Sequence, residues 1–261
     1  MKTGFVQNSN YARFLQAVKA VELRGANECS LLLVSGNPGV GKSKAVDRWA
    51  SDNGALYLRA TSNMTHKFFL EQLVKIAATD LSAEKDSKGK IVVPAARTKN
   101  EIQARLIAQV GARQCPIVID EVQHLLVKDA FLLEVLRDIS DITGTTVVLV
   151  AGVADFGVQL RDHTQISSRI FQEVAFVGWE FKDVKLACKQ LLELPIEDAL
   201  IERLTADSKG LMRLIMNGIS NIERIATANH QTSATLDNFK GTNLVIDWDG
   251  TAPVRPLRRK A

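Results

Sequence analysis

The chain has 261 residues, of which 46% are hydrophobic, 24% charged and 6% aromatic, a balance that excludes a disordered polyelectrolyte or fibrous repeat and suits one large globular domain or a domain with a small partner. Lys and Arg number 33 against 29 Asp and Glu; Arg255, Arg258, Arg259 and Lys260 fall within residues 251–261, which hold no acid, so the rest of the chain balances at 29 of each sign. The basic excess is thus a short Pro-containing tail expected to be disordered, and with no apolar run near the ~20 residues that span a bilayer, the chain is expected to be cytoplasmic and without a membrane partner.

From the N-terminus, Phe14, Leu15, Val18 and Val21 recur at helical spacing. The first buried strand is read at Leu31 to Ser35 (LLLVS), and further continuous apolar runs follow at Ala55 to Leu58, Pro116 to Asp120, Thr145 to Val150 and Glu173 to Val177. Continuous rather than alternating hydrophobicity predicts parallel strands covered on both faces. Between these runs lie segments of helical period around residues 68–77, 102–110 and 132–139. The alternation predicts an α/β fold with a parallel sheet flanked by helices. The polar, Lys-rich segment 80–94 is expected to protrude from the sheet's edge. After Val177 only helical patterns remain, near 184–193, 196–206 and 211–228, which predicts a small helical domain. The expected division is a core at 1–178, a helical domain at 179–240 and a basic tail at 241–261. Cys29, Cys115 and Cys188 lack metal-like spacing and are read as buried thiols.

Chemistry concentrates in two places. Gly36, Asn37, Pro38, Gly39, Val40, Gly41, Lys42 and Ser43 form a full GxxxxGK[ST] phosphate loop, directly after a strand and before a helical segment, which is the context that the motif requires. Its glycines let backbone N–H groups face phosphate oxygens, and the helix that follows adds its positive end. Lys42 is expected on the β and γ phosphates of ATP, and the Ser43 hydroxyl on Mg2+. At the end of the third apolar run stand Asp120 and Glu121. Asp120 is expected to hold Mg2+ through its water shell and Glu121 to polarise the attacking water, with the pair beside the phosphate loop if their strands are neighbours. The same two acids also suit a helix N-cap. A small-molecule kinase is compatible with the loop alone, but an acid pair favours water as acceptor.

The run Asp120-Glu121-Val122-Gln123-His124-Leu125 resembles the DEAxHL or DEAQxL element of the AAA+ ATPases, in the branch of the Mu B-type, TniB-like and Tn7-type transposition ATPases. The opening segment 5–15 is similar to their N-terminal linker, and the resemblance covers roughly residues 5–230. It implies a P-loop AAA+ core that starts with an N-terminal linker helix, and makes the helical domain at 179–240 its C-terminal lid. Ser167-Ser168-Arg169-Ile170-Phe171 is similar to the family's SRF element, which makes Arg169 the candidate trans-acting arginine finger. Arg213, in Lys209-Gly210-Leu211-Met212-Arg213, resembles a sensor 2 arginine that couples hydrolysis to the lid. Where the family carries a γ-phosphate-sensing Asn or Thr after the fourth strand, this chain has Ala151 and Gly152; Asp155 is one substitute, slow hydrolysis another reading.

The function that the resemblance implies is an ATP-dependent, sequence-tolerant DNA-binding ATPase. It would oligomerise on double-stranded DNA as a ring or helical filament and recruit or regulate a transposase. Lys67, Lys85, Lys88, Lys90, Arg97 and Lys99 are candidates for backbone contacts, though each also reads as a solvated surface charge. The alternative is a secretion or signalling ATPase (ExeA-like), or an origin-recognition type, acting on a protein partner.

Overall fold

The computed structural model describes residues 1–25, 28–78, 98–127 and 129–245, with backbone alone at Glu84–Lys85 and Ile91–Val92. The chain divides into two compact units, Asn10–Val177 and a second made of Met1–Ser9 with Gly178–Ala261.

The larger unit is the expected α/β fold. Its strands are β1 (Leu31–Gly36), β2 (Leu56–Arg59), β3 (Ile117–Asp120), β4 (Val147–Val150) and β5 (Ile170–Phe176), joined into one sheet in the order β2-β3-β4-β1-β5. All four pairings are parallel. The three inner strands are buried at every residue, whereas β2 and β5 alternate because an edge strand has a neighbour on one side only. The last strand begins three residues earlier than its apolar run suggests: Ile170 pairs with Leu31, and a register shift between Leu31 and Leu32 follows. Glu84–Lys85 and Ile91–Val92 pair antiparallel, apart from the main sheet.

Side-chain alternation sends Leu31, Leu33, Ile117, Ile119, Val147 and Leu149 into one cluster with Phe69 and Leu73 of α3 (His66–Ala77), Ile102 and Leu106 of α4 (Lys99–Arg113), and Leu132 and Leu136 of α5 (Phe131–Thr143). Leu32, Val34, Val118 and Val148 are equally buried but lie outside that cluster, on the opposite face. There Phe14 of α1 (Ser9–Glu22) meets Trp49 of α2 (Lys42–Asp52) edge to face at 5.6 Å. Two short helices, α6 (Phe156–Leu160) and α7 (Thr164–Ser167), connect β4 to β5. Helix starts are marked as the sequence dictates: the Thr65 hydroxyl accepts from Phe68 N, and Thr98 forms a capping box with Glu101.

The smaller unit packs α8 (Phe181–Leu191), α9 (Asp198–Asp207) and α10 (Met212–Ala228) around Val184, Leu200, Leu204, Ile215, Ile219 and Ile222. Two features differ from expectation. Residues 1–9, expected with the sheet, pack here: Val6 enters this core, Lys2 N donates to Leu191 O at 2.8 Å, and Ser9 N and Oγ both donate to Asp183 Oδ1 at 2.8 Å. Leu244, expected in the tail, is fully buried in the same core, with Asn221 Nδ2 donating to its carbonyl at 3.0 Å. Among the cysteines, Cys115 and Cys188 are buried, but Cys29 is half-buried because it precedes β1 on the connecting segment. Among the described residues no helix is long and apolar enough to cross a membrane.

Candidate active site

The phosphate loop leaves β1 at Gly36, whose φ is +138°; a Cβ there would stand 2.3 Å from the Phe176 carbonyl oxygen on β5, so a side chain is excluded. The loop enters α2 through Gly41 at φ +99°, and no side chain caps that helix. Its first-turn N–H groups therefore face the loop, the arrangement that attracts an anion. Lys42 is buried, and its Nζ donates to Gly36 O at 2.7 Å and to Asn37 O at 2.9 Å. Burial pushes its pKa down, while Glu121 and Asp120 pull it back up. An ammonium satisfied by two loop carbonyls is already aimed at the bend that would cradle phosphate.

Asp120 and Glu121 end β3, but the two strands are not neighbours: β4 lies between β1 and β3. The loop and the acids meet because α2 packs on β1, β2 and β3 together. Ser43 Oγ donates to Asp120 Oδ1 at 3.2 Å. Asp120 is 1% exposed, and its carboxylate accepts further bonds from Glu121 N at 2.9 Å and from Tyr57 Oη at 2.8 Å. Burial, then Asp120, raises the Tyr57 phenol well above its ordinary value, so it remains a donor. A hydroxyl and a carboxylate side by side are the hard oxygen donors that Mg2+ takes, so the residues present fit that ion. Among the described residues no group of three or more His, Cys, Asp or Glu could hold a metal ion by itself.

Glu121 is not a helix N-cap in the usual sense. Its backbone is left-handed, φ +56°, it opens the 3-10 turn Val122–Leu125, and its side chain makes no cap hydrogen bond. Arg59 Nη2 instead donates to Glu121 Oε1 at 3.0 Å, and Gln123 Nε2 donates to Glu121 Oε2 at 2.6 Å. Tyr57, Arg59 and Gln123 had no role in the sequence reading. Tyr57 and Arg59 end the apolar run of β2, and the β2–β3 register sets Arg59 opposite Asp120.

Other candidates lie elsewhere. Arg169 precedes β5 and its carbonyl accepts from Leu31 N at 3.1 Å, so it sits at the start of β1, whereas the phosphate loop leaves the far end. Six strand residues separate the two by roughly 16 Å. Its Nε donates to Asp141 Oδ2 at 3.2 Å, and that bond raises its pKa. Arg213 is exposed in the first turn of α10, in the other unit. Asp155 is exposed at the start of α6 with no side-chain cap bond. Lys67 is exposed with Glu71 at 3.8 Å, and exposed Lys99 lies 5.0 Å from the Phe131 ring centroid. Lys88, Lys90 and Arg97, the Lys85 side chain and the basic tail from 246 lie outside the described residues.

Solved structures with the same fold include the ORC2 protein of Aeropyrum pernix with ADPNP and ADP, at TM-score 0.64 and 15% identity over 89% of this chain and 66% of that one. The ORC1 protein of Aeropyrum pernix in complex with DNA follows at TM-score 0.59 and 16% identity, over 92% and 65%. The Thermotoga maritima RuvB Holliday junction branch migration motor gives TM-score 0.58 and 19% identity over 90% and 67%. The chain thus spans about two thirds of the length of these proteins. No curated protein matches the sequence. The AAA domain family matches over residues 25–156, a stretch that holds the phosphate loop, the acid pair and all but the last strand of a P-loop sheet; the chain belongs to that family.

Proposed function

We propose that the chain is a Mg2+-dependent ATPase that assembles on double-stranded DNA through backbone contacts and regulates a transposase. The observation that carries the hydrolytic part is the meeting of Lys42, Ser43, Asp120 and Glu121 at one end of the sheet. In this reading the loop N–H groups and Lys42 hold the triphosphate, Lys42 exchanging its carbonyl partners for phosphate oxygens. Ser43 and Asp120 would hold Mg2+, which when bound neutralises charge on the β and γ phosphates. Glu121 takes a proton from a water whose oxygen attacks the γ-phosphorus in line; the bond to the β–γ bridging oxygen breaks, and ADP and phosphate leave. Arg169 acts on the site of the next subunit, and Arg213 is the nucleotide-sensing arginine of the helical unit, the role that the resemblance implies.

The DNA and transposase part rests on the resemblance of residues 120–125 and 167–171, with support from a fold shared with a DNA-bound ORC1 protein and a branch migration motor. Exposed Lys67 and Lys99 are its described candidates for phosphate contacts. An origin-recognition role is the second reading, favoured by the fold shared with ORC2. ATP turnover and anisotropy with random duplex DNA over a salt series test both. Lys42→Ala is expected to lose nucleotide binding, and Glu121→Gln to keep binding, stop turnover and hold the assembled state. Absence of ATP-dependent, salt-sensitive binding to random duplex would overturn the first reading, and restriction to particular sequences would favour the second.

A further inference from the structure

β4 stops at Val150, and Gly152, two residues on, offers only its backbone N–H. That N–H donates to Gln123 Oε1 at 2.8 Å. The other end of the same amide, Nε2, donates to Glu121 Oε2 at 2.6 Å. Because an N–H can only bond the carbonyl end, the Gly152 contact fixes which way the amide faces and leaves its NH2 toward Glu121. A Cβ on residue 152 would lie 2.3 Å from Glu121 Oε2 and 2.5 Å from Gln123 Nε2, so a side chain there would displace both groups. With Arg59 on Oε1, both oxygens of Glu121 are held.

We propose that Gln123 is the positioning residue for Glu121, its amide bridging the carboxylate to the end of β4 in the space that Gly152 leaves open. The proposal rests on the hydrolytic reading above. The left-handed backbone of Glu121 and the 3-10 turn after it fold residue 123 back over the carboxylate that it orients. A base must present one lone pair to one water, and a carboxylate free to rotate about its last bond loses that aim; misplacement on the 1 Å scale costs on the order of 10²-fold in rate.

The test measures kcat, KM, nucleotide affinity and melting for wild type, Gln123→Ala, Gln123→Glu and Gly152→Ala. Gln123→Ala is expected to lower kcat on the order of 10²-fold with nucleotide affinity and melting unchanged. Gly152→Ala keeps the amide but pushes it and the carboxylate aside, and is expected to show the same split. Gln123→Glu removes the amide NH2 that donates to Glu121 Oε2 and is expected to lower kcat likewise, with nucleotide affinity unchanged. Wild-type kcat in Gln123→Ala overturns the proposal, as does a loss of kcat, affinity and melting together in all three variants. A wild-type chain that binds nucleotide without hydrolysing it instead overturns the ATPase reading itself.

Discussion

Arg59 Nη2 lies 3.0 Å from Glu121 Oε1, a contact made between the ends of two adjacent strands. The guanidinium occupies a lone pair of a group read as the base, a position that the attacking water would otherwise use. The Arg59 side chain is 63% exposed, which keeps the pair in the range of surface ion pairs, under about 1 kcal/mol. Arg59→Ala is therefore expected to raise basal turnover by roughly two- to fivefold at low salt, with little change at high salt where the pair is screened. A steady-state phosphate-release assay over a salt series checks it. A fall in turnover would mean that Arg59 serves the nucleotide instead.

Tyr57 tests the buried side of the same cluster. Its hydroxyl donates to Asp120 Oδ2, and Asp120 is almost wholly enclosed. Tyr57→Phe keeps the ring and deletes the donor, leaving an acceptor of a buried carboxylate without that partner, which costs about 1–3 kcal/mol. Urea unfolding of the nucleotide-free protein is expected to show that loss, and Asp120→Asn in the Tyr57→Phe background to recover part of it, since a neutral amide is cheaper to leave short of a donor.

The sheet and the phosphate loop were legible because their signals are local. Five apolar runs named five strands, and glycine spacing named the bend at Gly36 to Gly41. The company that Asp120 keeps was not legible. Tyr57 and Arg59 reach it through a strand register, and Gln123 meets Glu121 beside residue 152, 29 positions away, which has no side chain. Strand order was not legible for the same reason: β4 intervenes between β1 and β3, and the bridge between loop and acids is made by α2, whose packing has no one-dimensional signature. Residues 1–9 join the helical unit through Val6 and backbone bonds, which apolar periodicity does not encode.

Cys188 gives the helical unit a measurable pH dependence. Burial alone pushes its thiol from the ordinary 9.0 up to about 12. Below pH 9 the thiol is neutral in both folded and unfolded chains and contributes no pH dependence. Above it the unfolded chain ionises first, so stability is lost as pH rises from 9 toward 12, about 4 kcal/mol across the whole window. Between pH 8 and pH 10.5 the wild-type unit is expected to lose about 2 kcal/mol more than Cys188→Ala, measured by denaturant unfolding at each pH. Equal losses in the two proteins would show the thiol ionising without cost.

Arg169 carries the most consequential prediction, because it lies far along β1 from the loop of its own chain. It stands at the opposite end of β1 from the loop that its own chain would use, and it is engaged by Asp141. A finger acting within one chain would have to span the length of β1, roughly 16 Å, whereas in the proposed reading it acts on the next subunit after leaving Asp141. Arg169→Ala is accordingly expected to cut turnover by roughly 10³-fold with the nucleotide affinity of the isolated subunit intact. Lys42→Ala is expected to be inactive for the unrelated reason that it holds no nucleotide. Mixed in equal amounts, the two inactive proteins should regain turnover, since a subunit with an intact site but no finger would meet a neighbour with a finger but no site. A mixture as silent as its components would place the two defects in one chain's machinery and remove Arg169 from the interface.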